Sequence, residues 1–357
     1  MTTPDQSTDH TAQPNSAGVP LPAAENNPAA VLRAVGEVAV EHRPVPQPGL
    51  HEVLVAVGAV GICGSDVHYY EHGRIGDFVL KAPMIIGHES AGHVVAVGDD
   101  VDPARVGQLV ALEPGVPCTG CRQCLAGRYN LCPDMQFFAT PPVDGSIVKY
   151  VAHHAAFAHP APPSLSAEQA AMAEPVSVGV WASRKAQVTV GDRVLITGAG
   201  PVGLFAAQVA KAFGASSVTL TDLSDYRLEA AAALGFSVQR ADEPLGEQEF
   251  DVLFECSGAA PAFTAGMRAL DQAGRAVVVG MGAAELPVEV AALQGRELSI
   301  SGVFRYRNCY PAALELIAAG AVDVASVLTH RFSMEQTEAA LTLARREADS
   351  LKAIVVP

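Results

Sequence analysis

Val194-Leu195-Ile196-Thr197-Gly198-Ala199-Gly200-Pro201-Val202-Gly203 joins an apolar, β-branched run to a Gly-x-Gly-x-x-Gly turn, and a helical pattern follows from Val202 to Phe213. A predicted strand that enters such a turn and leaves it as a helix is the context in which this glycine pattern signals a dinucleotide. Gly198 allows the tight turn, Gly200 lets backbone approach a pyrophosphate, and Gly203 lets helix and strand pack closely. The helix N-terminus then faces the phosphates with its partial positive charge. Asp222 stands nineteen residues beyond Gly203, at the end of the next predicted strand. Its carboxylate suits both ribose hydroxyls and repels a 2'-phosphate, which favours NAD over NADP. Arg227 is a candidate for the adenosine side, with a solvated helix arginine as the plainer alternative.

Downstream, strands are predicted at 218–221, 252–254, 276–279 and 298–300, with a helix over 227–234. That alternation predicts right-handed βαβ units and a parallel sheet. Upstream, from Ala29, short runs such as Val53-Leu54-Val55-Ala56-Val57, Val94-Val95-Ala96-Val97 and Val106 to Leu112 are punctuated by glycine and proline. They suit a compact antiparallel β domain. Ser166-Ala167-Glu168-Gln169 has capping-box spacing ahead of an alanine-rich stretch, so a helix is predicted to start there. The helical pattern from Ala312 to Ala319 and the run Lys352 to Val356 predict a return to the first domain. Residues 1–28, rich in Thr, Ser, Pro, Asn, Gln and Ala, lack an apolar period and are expected to be a disordered extension.

A chain of 357 residues with 49% hydrophobic content suits two domains. A net charge of -15 argues against a nucleic-acid partner, which would favour a basic patch. No charged and apolar leader opens the chain and no run of 18 apolar residues follows, so no membrane role is expected and a cytoplasmic setting is. There its seven cysteines would stay reduced. Cys118, Cys121, Cys124 and Cys132 are spaced Cys-x2-Cys-x2-Cys-x7-Cys, which lets four thiolates close on one structural zinc. An iron-sulfur cluster of the bacterial type wants a final gap of three residues and a following proline. Pro133 does follow, but the last gap is seven, and zinc is the better fit. Gly87-His88-Glu89 places two further candidate zinc ligands side by side, where a catalytic zinc wants a third protein ligand and an open position. A polar turn is the plainer reading of those three residues alone.

Several further stretches bear on that choice: Cys63-Gly64-Ser65-Asp66-Val67-His68-Tyr69-Tyr70, Gly127-Arg128-Tyr129-Asn130-Leu131, Phe137-Phe138-Ala139-Thr140-Pro141-Pro142, Glu174-Pro175-Val176-Ser177-Val178-Gly179 and Gly302-Val303-Phe304-Arg305-Tyr306. Together with Gly87-His88-Glu89 they resemble the zinc-dependent medium-chain dehydrogenases, and within them the polyol branch of sorbitol and xylitol dehydrogenases. The resemblance implies an α/β fold: a GroES-like, β-rich catalytic domain over 29–175 and 305–357, with a structural zinc lobe at 115–135. A Rossmann domain, a doubly wound parallel sheet that binds NAD, is implied over 176–304.

The resemblance also implies roles. Cys63, His88 and Glu89 would hold a catalytic zinc, with Glu174 nearby holding water or substrate; Glu174 as the direct ligand in place of Glu89 is the alternative. Tyr69, Glu174, Arg305 and Tyr306 match substrate positions, and Ser65 and His68 a proton relay. Val202, Asp222, Arg227, Val279, Gly280, Met281, Val303, Phe304 and Arg305 match NAD positions. The implied enzyme carries one catalytic and one structural zinc per chain, is a homotetramer, and oxidises a small-molecule polyol to a ketose. Threonine, glucose or a simple alcohol as substrate are the alternatives, as is a non-catalytic nucleotide-binding relative. The complete ligand set weighs against the last. One departure is the short segment between Gly235 and Phe250, which predicts a trimmed layer in the Rossmann domain; the N-terminal extension is another.

Overall fold

The computed structural model describes residues 26–246, 249–282 and 284–357. Strand β1 (Asn27–Ala34) turns back on β2 (Glu37–Arg43) as an antiparallel pair. Residues 1–25 of the expected extension lie outside the described residues, but its last part is ordered as strand: Asn27 pairs with Arg43 and Pro28 with His42. Local composition misses the reason. The buried Asn27 amide bridges to distant backbone, its Oδ1 accepting from Tyr150 N at 2.8 Å and its Nδ2 donating to Tyr150 O at 3.1 Å.

The apolar runs of the next hundred residues form β3 (Glu52–Gly61), β4 (Glu89–Val97), β5 (Leu109–Leu112), β6 (Tyr150–His154) and β7 (Ala158–Pro160). Helix α1 (Gly64–His72) lies between β3 and β4 in sequence. The main sheet of this part runs β7-β5-β4-β3 and continues into two strands from the far end of the chain, with β6 also paired to β3. These early strands pair antiparallel, as their alternating pattern predicts.

Ser166 caps the helical stretch as its spacing predicts, its hydroxyl accepting from Gln169 N. Helix α2 (Ala173–Ala186) then leads into the parallel sheet. That sheet is built from β8 (Arg193–Thr197), α3 (Pro201–Ala212), β9 (Ser217–Asp222), α4 (Asp225–Ala233), β10 (Ser237–Arg240), β11 (Phe250–Glu255), α5 (Ala260–Arg268), β12 (Leu270–Val278) and β13 (Ser299–Gly302). Its order is β10-β9-β8-β11-β12-β13, every pair parallel. All six strands are present, so the short segment after Gly235 removes no strand. Among the described residues no helix stands between β10 and β11.

Helix α6 (Tyr310–Ala318) packs on α2, after which β14 (Leu328–Ser333) and β15 (Lys352–Val356) complete the first sheet. β15 runs antiparallel to β3, whereas β14 and β15 are parallel to each other, an exception to the otherwise antiparallel domain. One apolar core spans both sheets: Ala59, Ala91 and Ile354 belong to the same buried cluster as Val176, Val180, Phe205 and Phe254. Helix α2 is the shared wall, and burial on this scale is what fixes one part against the other.

Candidate functional site

Cys63 immediately precedes α1, and its N–H donates to Asp66 Oδ2 at 2.9 Å. The other Asp66 oxygen accepts from Gly87 N at 3.1 Å and lies 3.5 Å from His88 Nδ1. Asp66 therefore ties both ligand-bearing turns together and turns the His88 ring so that Nε2 is free to face a metal. Burial pushes the Asp66 carboxyl up, but His88 and the two N–H donors outweigh it and hold the group below its usual range. The sequence reading gave Asp66 no role, although its place three residues after Cys63 is the spacing of a capping pair.

The ligand atoms of Cys63, His88 and Glu89 lie within 4.8 Å of one another. Glu89 is the first residue of β4 and is 1% exposed. Gly61, its partner across β3, admits it: a Cβ at Gly61 would stand 2.0 Å from Glu89 Oε2. On the other side, Lys352 Nζ lies 2.5 Å from Glu89 Oε2 and donates to Oε1 at 2.6 Å and to Ile62 O at 2.7 Å. Burial lowers the Lys352 pKa, but the neighbouring acidic groups, Glu89 first, raise it on balance. This buried cation was invisible in the sequence, where it is one lysine in a terminal apolar run.

Glu174, in the first turn of α2, stands outside the three-residue cluster, and its Oε1 accepts from Tyr306 OH at 2.7 Å. Burial pushes its carboxyl up to about 7, with Glu89 adding to the rise. Arg305 lies with its guanidinium 4.1 Å from the Phe137 ring centre and 4.9 Å from that of Phe304. Tyr69 is buried, and that burial pushes its phenol up to about 12. Ser65 and His68 share α1 but are not hydrogen-bonded to each other; the exposed His68 ring instead meets His72 edge-on at 4.6 Å.

The three-ligand cluster fits a catalytic zinc. It offers one sulfur, one nitrogen and one oxygen donor, with His88 and Glu89 buried. The second cluster fits a closed site. Its four sulfurs also lie within 4.8 Å of one another, with Cys121 at 3.5 Å from Cys124 and 3.9 Å from Cys132. Tetrahedral zinc-thiolate bonds of ordinary length put sulfurs about 3.8 Å apart. All seven cysteines are free of disulfides.

The glycine loop follows β8, and Gly200 caps α3 with Pro201 in its first turn. A Cβ at Gly203 would stand 1.9 Å from Gly198 O, so helix and strand approach too closely for any other residue. At Gly200 a Cβ would meet only Arg227 Nη1 at 4.0 Å, which leaves the backbone open on the side where a phosphate would sit. Asp222 ends β9, and its Oδ2 accepts from Ala199 N at 2.8 Å while Arg227 lies 3.8 Å away. Loop and switch point coincide, because Gly198 after β8 packs on Ser257 after β11, the strands between which the sheet order reverses. Val279, Gly280 and Met281 follow β12, and Val303, Phe304 and Arg305 follow β13, at the same edge. Met281 and Phe304 are exposed there. Among the described residues no helix is long and apolar enough to cross a membrane.

Comparison with known proteins adds to this geometry. Residues 49–163 match the family model for the alcohol dehydrogenase GroES-like domain, and residues 201–319 the one for zinc-binding dehydrogenases. The chain is 43% identical to the sorbitol dehydrogenase of Bacillus subtilis, over 93% of this chain and 98% of that protein. It is likewise 43% identical to the sorbitol dehydrogenase of Mus musculus, over 91% of this chain and 94% of the other. Among solved structures, L-idonate 5-dehydrogenase of Escherichia coli superposes with a TM-score of 0.87 at 30% identity, covering 93% of this chain and 98% of that one.

Proposed function

The chain belongs to the sorbitol dehydrogenase family of zinc-dependent medium-chain dehydrogenases, and from that premise we propose that it oxidises a polyol to the corresponding ketose, with NAD taking the hydride. The observation that carries this reading is the cluster of Cys63, His88 and Glu89, with Glu174 of α2 beside it bonded to Tyr306, which lies on a segment that comes directly from the carboxyl edge of the parallel sheet.

In this proposal Cys63, His88 and Glu89 hold the catalytic zinc, and Cys118, Cys121, Cys124 and Cys132 hold a structural one. The catalytic zinc supplies Lewis-acid polarisation of a hydroxyl. Asp66 keeps His88 in the ligating tautomer. Glu174, whose carboxyl is raised by burial, is suited to exchange a proton at the reacting hydroxyl, and Tyr306 OH fixes its orientation. Ser65 and His68 lead outward along α1 as the second stage of proton release, where rotation of either side chain, or a water, has to complete the path. Tyr69 and Arg305 face the polyol. Gly198, Gly200 and Gly203 receive the pyrophosphate, with Val202 and Arg227 alongside. Asp222 selects NAD by accepting from the ribose, and Val279 to Met281 and Val303 to Arg305 meet the remainder of the cofactor.

The catalytic part comprises 29–175 with 305–357, and the NAD-binding part 176–304. A homotetramer in the cytoplasm belongs to the same proposal, supported by the resemblance. A panel of sorbitol, xylitol, ribitol and arabinitol, read at the NADH absorbance band, tests it. Reduction of NAD by at least one of them is expected, with far weaker use of NADP. Silence with every polyol alongside intact NAD binding sinks the assignment.

A further inference from the structure

The segment that presents Arg305 and Tyr306 is folded unusually. Arg305 has φ 55° and Asn308 φ 53°, two left-handed residues that bracket Tyr306. Residues other than glycine seldom adopt that conformation, and they keep it only where the surroundings over-determine it. Here the surroundings are Arg184 of α2, which donates to Asn308 O at 2.7 Å, and one short piece of the four-cysteine lobe. The buried Asn130 donates through Nδ2 to Phe304 O at 3.0 Å. Tyr129 OH accepts from Asn308 N at 2.6 Å and is itself anchored by donating to Glu113 Oε1 at 2.8 Å. The Arg307 guanidinium donates to Gly127 O. Both ends of residues 304–308 are therefore held by residues 127–130, which lie between Cys124 and Cys132.

The lobe reaches the site from beneath as well. Its stem pairs Gln136–Phe137 with Gly115–Val116, and the Phe137 ring supports the Arg305 guanidinium and stands 5.9 Å from the His88 ring. Tyr129, Asn130 and Leu131 form a single 3-10 turn capped by Cys132, whose sulfur accepts from Cys118 N at 3.4 Å. A metal on the four sulfurs would thus fix the turn that fixes the substrate segment.

We propose that the four-cysteine lobe is a brace for substrate recognition, in which Tyr129 and Asn130 are positioning residues that hold Arg305 and Tyr306 in place against Phe137 and Glu174. The lobe then has a task in the reaction beyond its own stability. This rests on the polyol dehydrogenase reading for its kinetic arm only.

The test uses the full-length, zinc-loaded enzyme. Asn130→Ala is expected to lower kcat/KM for the polyol roughly tenfold, the usual scale for one lost buried hydrogen bond, while zinc content stays unchanged. In an Arg305→Ala background the same change is expected to have less than a twofold effect, because the residue acts through the segment already damaged. Losses that simply multiply in the double variant overturn the proposal. Hydrogen exchange gives an arm free of activity: amides of residues 304–308 should exchange at least tenfold faster in Asn130→Ala, with the parallel sheet unaffected. Unchanged exchange in that segment overturns the brace. Should Asn130→Ala fail to fold, Tyr129→Phe takes its place with the same expectations. If the wild-type enzyme turns over no polyol, the functional reading fails, and the exchange arm still decides the brace.

Discussion

Lys352 is 4% exposed, and Glu89, its counter-charge, is 1% exposed. Removing one member of such a pair leaves the other charge buried alone, which destabilises by about 3–5 kcal/mol. Lys352→Met is expected to show that loss in urea unfolding with chelator present, and to recover a large share of it when zinc is added, because the metal replaces the missing cation beside Glu89. An equal loss with and without zinc would separate Lys352 from the metal site. His153 makes a second prediction at this scale. It is buried, with Nε2 2.8 Å from Glu113 O, and burial pushes its pKa down to about 4 from an ordinary 6.5. Between those values the unfolded chain binds the extra proton and the folded one does not, so stability rises with pH through this window and is lost as pH falls from 6.5 towards 4. The loss is about 3 kcal/mol. His153→Gln should flatten that acid limb in a series of urea midpoints, whatever it does to stability at neutral pH; an unchanged slope refutes the assignment to His153.

The glycine loop works as an element, because strand, turn and helix have to meet at one spacing. Gly203→Ala forces a Cβ to within 1.9 Å of Gly198 O, so α3 must move off β8 and the loop must open. NADH affinity by fluorescence titration is expected to fall by at least about tenfold, with the zinc content unaffected. Elements of this kind were legible in the sequence because their causes are local. The apolar runs that became β8, β9 and β11, and the capping spacing at Ser166, each carry their own signal. Most boundaries moved by one or two residues, as where the helix expected over 202–213 spans Pro201–Ala212, but the strand expected over 276–279 runs Leu270–Val278. What could not be read locally was pairing between distant segments. Asn27 was assigned to an extension because nothing near it in sequence announces the Tyr150 backbone that holds it. The parallel pairing of β14 with β15 is another product of the chain's long return.

At the scale of the molecule the chain holds two separate clusters of candidate zinc ligands, and the proposal makes them separable. Zinc content is expected to be about two per chain in the wild type and about one in Cys63→Ala, which should also lose turnover, since a closed four-thiolate site does not depend on Cys63. A content of about two in that variant means that Cys63 is not a ligand. Cys63, His88 and Glu89 were legible as candidates through donor type and motif, and the structure brings their ligand atoms together. Lys352 was not, because it reaches Glu89 from 263 residues away, along β15. That separation has a kinetic side. The parallel sheet is a contiguous stretch of chain, whereas the pocket around Glu89 closes only when a strand made much later docks against β3. Long-range closure is slow and is entropically opposed until its contacts reward it. In refolding or synthesis, native burial of the Glu89 carboxylate is therefore among the last events, and the nucleotide loop should mature before the chemistry does.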